Sequence, residues 1–227
     1  MRLIMIFLDG VGLGPDHPGT NPLARPGAMP FLEGFMGRRL ILPSFPWENE
    51  RGGGTAVDAV LGVPGLPQSA TGQATLLTGT NAQAAMGRHQ NGFPGRALRR
   101  LIAAESIFRR LGERGRAAVF ANAFTAEYFA AVAVGRWRHS ATTLAALAGR
   151  APLRFLPDLL AGRAVYQDLT CASLRARGYD VPLVDPAEAG ANLARLAREV
   201  DFTLFEYFQT DLAGHAREME PALARLG

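Results

Sequence analysis

Six apolar residues in succession, Leu3–Leu8, stand near the start of the chain and stop at Asp9-Gly10. An unbroken apolar run closed by a turn pair predicts a strand buried on both faces. Residues 10–30 lose this pattern and are rich in Gly and Pro, which reads as a long loop; a short helix follows in MPFLEGFMG. Residues 43–67 read mostly as loop with a short strand or turn. Residues 69–77 read as a helix of small side chains, with hydroxyls at Ser69, Thr71 and Thr75 and large apolar groups only at Leu76 and Leu77. GRHQNGFPG is a further loop. Apolar positions at Leu98, Leu101, Ile102 and Phe108 recur with helical period and predict one helix over 96–113. AAVFAN reads as a buried strand. Ser140 caps a helix over 140–148, a second helix covers 169–177, and Asp185 with Pro186 opens a third over 186–199. DFTLFEYFQT reads as a long aromatic-rich strand ending at Asp211. The segment from about Ala213 onward reads as helix interrupted near Pro221.

Strands alternating with helices predict an α/β fold with a mainly parallel sheet flanked by helices. The length, 227 residues, and a hydrophobic content of 48% suit one domain over 1–227 with a substantial core. The net charge of +4 is mildly basic and is no nucleic-acid signature. All 24 basic residues are Arg. The absence of Lys excludes a phosphate-loop lysine and a Schiff-base lysine, whereas Arg remains a good fork for phosphate or carboxylate. Cys171 stands alone, so no internal disulfide or cysteine zinc site is expected. The apolar run at the N-terminus is too short for a signal-peptide core, and no run approaches the length of a membrane span. The expectation is a cytoplasmic protein with neither nucleic acid nor membrane as partner.

In open parallel sheets ligands gather at the carboxyl ends of strands, where Asp9 and Asp211 are expected. Each also suits a plain turn or cap. His215 follows Asp211 by four residues, a spacing that puts both on one helix face and pairs a carboxylate with an imidazole, as zinc or manganese would require. GVGLGP fails the dinucleotide fingerprint because Pro15 stands where the third Gly belongs, and Ser69 has no Gly-x-Ser-x-Gly elbow around it. Ser69 at a helix start has two open readings: an N-cap, or a hydroxyl whose alkoxide is favoured by helix amides and a nearby metal.

Asp9 after the first strand, Ser69 opening a small-residue helix that runs into Thr78-Gly79, and Asp211 with His215 after a late strand form an ordered set. This set resembles the alkaline phosphatase superfamily of metalloenzymes, in the branch of cofactor-independent phosphoglycerate mutase and phosphopentomutase. The resemblance implies an alkaline phosphatase-like α/β fold and two divalent metals, zinc or manganese. It implies phosphoryl transfer or phosphoester hydrolysis through a serine, hence a hydrolase or isomerase acting on a small phosphorylated substrate. Asp9 would bind one metal, Ser69 would be ligand and nucleophile, and Asp211 and His215 would bind the second metal. Asn91 would stabilise the transferring phosphoryl oxygens, and Arg88 and His89 would contact the substrate anion. The stretch from about 85 to 180 would include the substrate-selecting region, where Arg136, Arg138 and His139 form a candidate anion patch or a solvated turn. The superfamily's later Asp-His-Gly segment and final His have no counterpart before Gly227. The expectation is therefore a chain truncated at its C-terminus with an incomplete ligand set; the alternative is a non-catalytic remnant that binds an anion or a weak metal.

Overall fold

The structure is a computed structural model that describes residues 2–227. In chain order it has β1 (Leu3–Leu8), α1 (Pro30–Met36), β2 (Trp47–Asn49), β3 (Gly52–Gly54), α2 (Ser69–Thr78), α3 (Ala82–Met86), α4 (Arg96–Glu105) and α5 (Ile107–Gly112). Then come β4 (Ala118–Phe120), β5 (Ala123–Phe124), α6 (Ala126–Ala133), α7 (Ala141–Ala148), β6 (Arg154–Phe155), α8 (Leu156–Leu160) and α9 (Ala172–Ala176). The chain closes with α10 (Pro186–Ala197), β7 (Phe202–Tyr207), α11 (Gln209–Ala216) and α12 (Met219–Leu226).

The main sheet has three strands in the order β1-β7-β4, and β4 runs parallel to β7 with Ala118 opposite Phe202 and Phe120 opposite Leu204. β5 and β6 are also parallel, whereas β2 and β3 form an antiparallel ribbon. This is an α/β architecture with a mostly parallel open sheet flanked by helices. β7 alternates between two cores. Phe202 and Leu204 pack with Leu98, Ile102 and Phe108 under helices α2, α4 and α7, while Phe205 packs with Val119, Leu193 and Leu196 on the α10 side. Each such aromatic or aliphatic side chain contributes about 1.5–3 kcal/mol by leaving water.

Chain contacts divide the molecule into two compact units: residues 1–7 with 59–207, and residues 8–58 with 208–227. The first holds the main sheet and α2–α10. The second holds α1, the β2–β3 ribbon, α11 and α12.

Three expectations need correction. β1 is not buried on both faces: it is the sheet edge, with Ile6 57% and Ile4 39% exposed. An apolar run records tolerance for burial, not the presence of a neighbour on each side. Residues 96–113 form two helices rather than one. Ser106 leaves the helical conformation at ψ 145°, and its hydroxyl accepts from the Arg109 amide and donates to the Ala145 carbonyl, so a capping side chain interrupts the apolar stripe. The late strand stops at Tyr207, and Asp211 sits in the first turn of α11. The aromatic run continues through Phe208, but that residue turns to ψ 10° and starts the helix.

Candidate functional site

In the second unit the chain's two ends meet. Gly10, at φ +75°, packs so tightly on the backbone of Asp211 that a Cβ there would lie 2.5 Å from the Asp211 Cα. The Thr210 hydroxyl donates to the Asp9 carbonyl across a sequence separation of 201 residues. The requirement for Gly at position 10 is therefore both conformational and steric. Asp9 Oδ1 accepts from the Gly10 amide at 3.0 Å. Asp211 is half-buried and His215 exposed, with Asp211 Oδ2 and His215 Nε2 3.6 Å apart on one face of α11. The acid in the first turn complements the helix dipole. Beside these residues lies a cavity of about 370 Å³, lined by Gly10, Asn21, Leu23, Thr210, Arg217 and Met219 among others. That volume is in the small-ligand range.

Two ligand atoms on a tetrahedral zinc stand about 3.3 Å apart, given bonds near 2.0 Å. The Asp211–His215 pair fits two corners of such a shell. Among the described residues no group of three or more His, Cys, Asp and Glu side chains is arranged to hold a metal. The pair therefore suits one side of a cation and leaves the rest of its shell to other ligands.

Ser69, Arg88, His89 and Asn91 belong to the first unit. Ser69 is the first helical residue of α2, and the cap position is Gln68, so the N-cap reading of Ser69 gives way to a position inside the first turn. The amides of Ala70 and Thr71 both donate to the Gln90 carbonyl, and the Thr71 hydroxyl accepts from the Gln90 amide. The loop after α3 is thus strapped to the start of α2. Its carbonyl takes two of the amides that would otherwise attract an anion. His89 is a strut: its Nε2 lies 2.9 Å from the Val63 carbonyl, while its buried Nδ1 has no partner among the described residues. Arg88 and Asn91 are exposed in the same loop.

Further along, the candidate anion patch separates into distinct environments. Arg136 is exposed, Arg138 places its guanidinium 5.5 Å from the Phe93 ring centre, and His139 nests against Tyr128 and Phe129. Burial and then the Arg99 guanidinium hold the His139 imidazole below its ordinary pKa.

Sequence reasoning missed Glu206. It is 7% exposed near the carboxyl end of β7, and its side chain accepts from Gln73 Nε2 and Thr142 Oγ1, each at 2.6 Å. Asn122 clamps its backbone from both sides, at 2.8 and 2.9 Å. The signal was available: Glu206 shares strand parity with Phe202 and Leu204, so a carboxylate was bound to face the core.

No family model matches the chain, and neither a curated protein nor a solved structure matches it.

Proposed function

We propose that the chain is a serine-dependent phosphoryl-transfer protein of the alkaline phosphatase-like class. Ser69 is the nucleophile, and Asp9, Asp211 and His215 contribute to the holding of divalent cations, zinc or manganese. The observation that carries this reading is the convergence of Asp9-Gly10 with Thr210-Asp211, far apart in sequence and joined through a glycine that admits no side chain. The Asp211–His215 pair, a carboxylate and an imidazole one helical turn apart, offers the donor types that a hard or borderline cation selects.

In the reaction Ser69 Oγ forms a bond to phosphorus as its proton leaves, and the bond from phosphorus to the alcohol oxygen breaks. The alcohol departs with a proton and the serine keeps the phosphoryl group until water or a second alcohol accepts it. A bound cation would supply charge neutralisation at the phosphoryl oxygens. Asn91 would donate a hydrogen bond to those oxygens, and Arg88 would meet the substrate anion. His89 keeps the loop in place through Val63.

A second reading, a non-catalytic binder of an anion or a weakly held metal, is favoured by the Gln90 carbonyl on the α2 amides and by the absence of a third metal ligand among the described residues. One assay separates the two. Wild type and Ser69→Ala are compared on a phosphomonoester with zinc or manganese present, and bound metal is measured in both. The catalytic reading expects turnover that falls by at least about 10³-fold in Ser69→Ala with metal content retained. Turnover surviving in Ser69→Ala ends that reading, and metal binding without turnover in either protein establishes the second.

A further inference from the structure

The residues that α2 turns inward are Ala70, Thr71, Gln73, Ala74, Leu77 and Thr78, and Leu77 is the one long apolar side chain among them. Its neighbour α7 is as small. Ala141, Ala145 and Ala146 are the buried apolar residues of that helix, and they share a core with Ala70 and Ala74. Helices set their mutual orientation when the side-chain ridges of one fill the grooves of the other. Two faces built mainly of methyl groups offer shallow ridges, so apolar packing by itself specifies the rotation of α2 about its axis only weakly.

Glu206 supplies the missing constraint. Its carboxylate accepts from Gln73 Nε2 and from Thr142 Oγ1, each at 2.6 Å, and so ties α2 and α7 to one point. Both partners are buried, and releasing either bond would deprive a buried donor of its acceptor. The strand holds the carboxylate in turn. Asn122 Nδ2 donates to the Glu206 carbonyl at 2.8 Å, and the Glu206 amide donates to Asn122 Oδ1 at 2.9 Å. Gln73 stands four residues after Ser69, so the two share one face of α2, a turn apart. A contact that fixes the direction of Gln73 therefore fixes that of Ser69.

We propose that Glu206 is a positioning residue: through Gln73 it sets the rotation of α2 and thereby the place of the Ser69 hydroxyl. For the role of that hydroxyl as nucleophile, and for that alone, the inference rests on the phosphoryl-transfer reading. The rotation of α2 has a mark of its own. The amides of Ala70 and Thr71 donate to the Gln90 carbonyl at 3.1 and 3.4 Å. A turned α2 carries both amides off that carbonyl, and their hydrogens then exchange faster.

The test exchanges the two ends of the bond. Gln73→Glu sets a second carboxylate against Glu206. Gln73→Glu combined with Glu206→Gln restores the bond in the reverse sense, the new amide donating to the new carboxylate and still accepting from Thr142. On a phosphomonoester with zinc or manganese present, Gln73→Glu should lower kcat by about 10- to 100-fold, as for a nucleophile displaced by up to about 1 Å, with KM changed less than about two-fold. The double variant should return kcat to within about five-fold of wild type. Exchange at Ala70 and Thr71 should rise about ten-fold or more in Gln73→Glu and recover in the double variant, with the amides of α10 unchanged in both. Gln73→Met breaks the bond without adding charge and carries the same expectations should Gln73→Glu fail to fold. A loss carried by KM, exchange that is unchanged at Ala70 and Thr71 or rises equally in α10, or a double variant no better than Gln73→Glu overturns the inference. A wild type without turnover ends the phosphoryl-transfer reading, and amide exchange with its recovery then decides the placing of α2 by itself.

Discussion

The first unit, residues 1–7 with 59–207, holds three clusters of buried apolar side chains around its strands. The second, residues 8–58 with 208–227, has a thinner interior: Leu23, Ala24, Ala28, Met36, Ile41 and Ala213 are its buried apolar groups. It is held instead by directional contacts. Asn21 bonds the Pro15 carbonyl and the Leu23 amide, Arg39 forks onto Asp16, and Arg51 lies over the Phe35 ring, which meets Trp47 edge-on. The carboxylates and imidazole proposed for metal binding therefore sit on the unit with the smaller apolar reserve. Regions that bury little apolar surface open locally at lower cost. Cation binding would stabilise such a unit by mass action, which the buried core of the first unit does not require.

Three experiments sharpen or break this contrast. The largest effect is expected from Phe202→Ala, which empties a fully enclosed position in edge contact with Phe108 and should cost about 3–5 kcal/mol. The chain has two tryptophans, Trp137 in the first unit and Trp47 in the second, so Trp137→Phe leaves Trp47 fluorescence as a reporter of the second unit alone. Phe202→Ala should lower the helical melting transition more than the Trp47 transition; a common shift would show the units to be one cooperative body.

The next effect concerns Cys171, which burial and then Asp168 push up to about 11. Against an ordinary thiol near 9, a shift of that size means about 100-fold less thiolate at pH 8. Alkylation of the native protein should be slower than in denaturant by at least that factor. Rapid native labelling would show that the first unit opens as readily as the second.

The smallest effect is expected from Asn21→Ala, which leaves the Leu23 amide without its acceptor and the Pro15 carbonyl with the His17 amide alone, and should cost about 1–3 kcal/mol. Trp47 fluorescence should report the loss, with Cys171 labelling unchanged. Faster labelling in this variant would contradict independent opening of the two units.

Much of the secondary structure was legible in the chain itself. The small-residue helix from Ser69, the caps at Ser140 and Asp185, and the strands at Leu3–Leu8 and Phe202–Tyr207 follow from periodicity, capping chemistry and apolar runs. So did the pairing of Asp211 with His215, because helix geometry puts residues four apart on one face. These are local properties, fixed by a few neighbouring side chains and backbone preferences.

Tertiary structure decided the rest. Whether β1 is central or at an edge depends on which strands find it, and no run of six apolar residues encodes that. The meeting of Gly10 with Asp211, the Gln90 carbonyl on the α2 amides and the Glu206 carboxylate shared by Gln73 and Thr142 all join segments distant in the chain. Periodicity tells a side chain which face it occupies. Which partner waits on that face is settled only when the whole chain has closed its loops and each buried polar group has found its donor or acceptor.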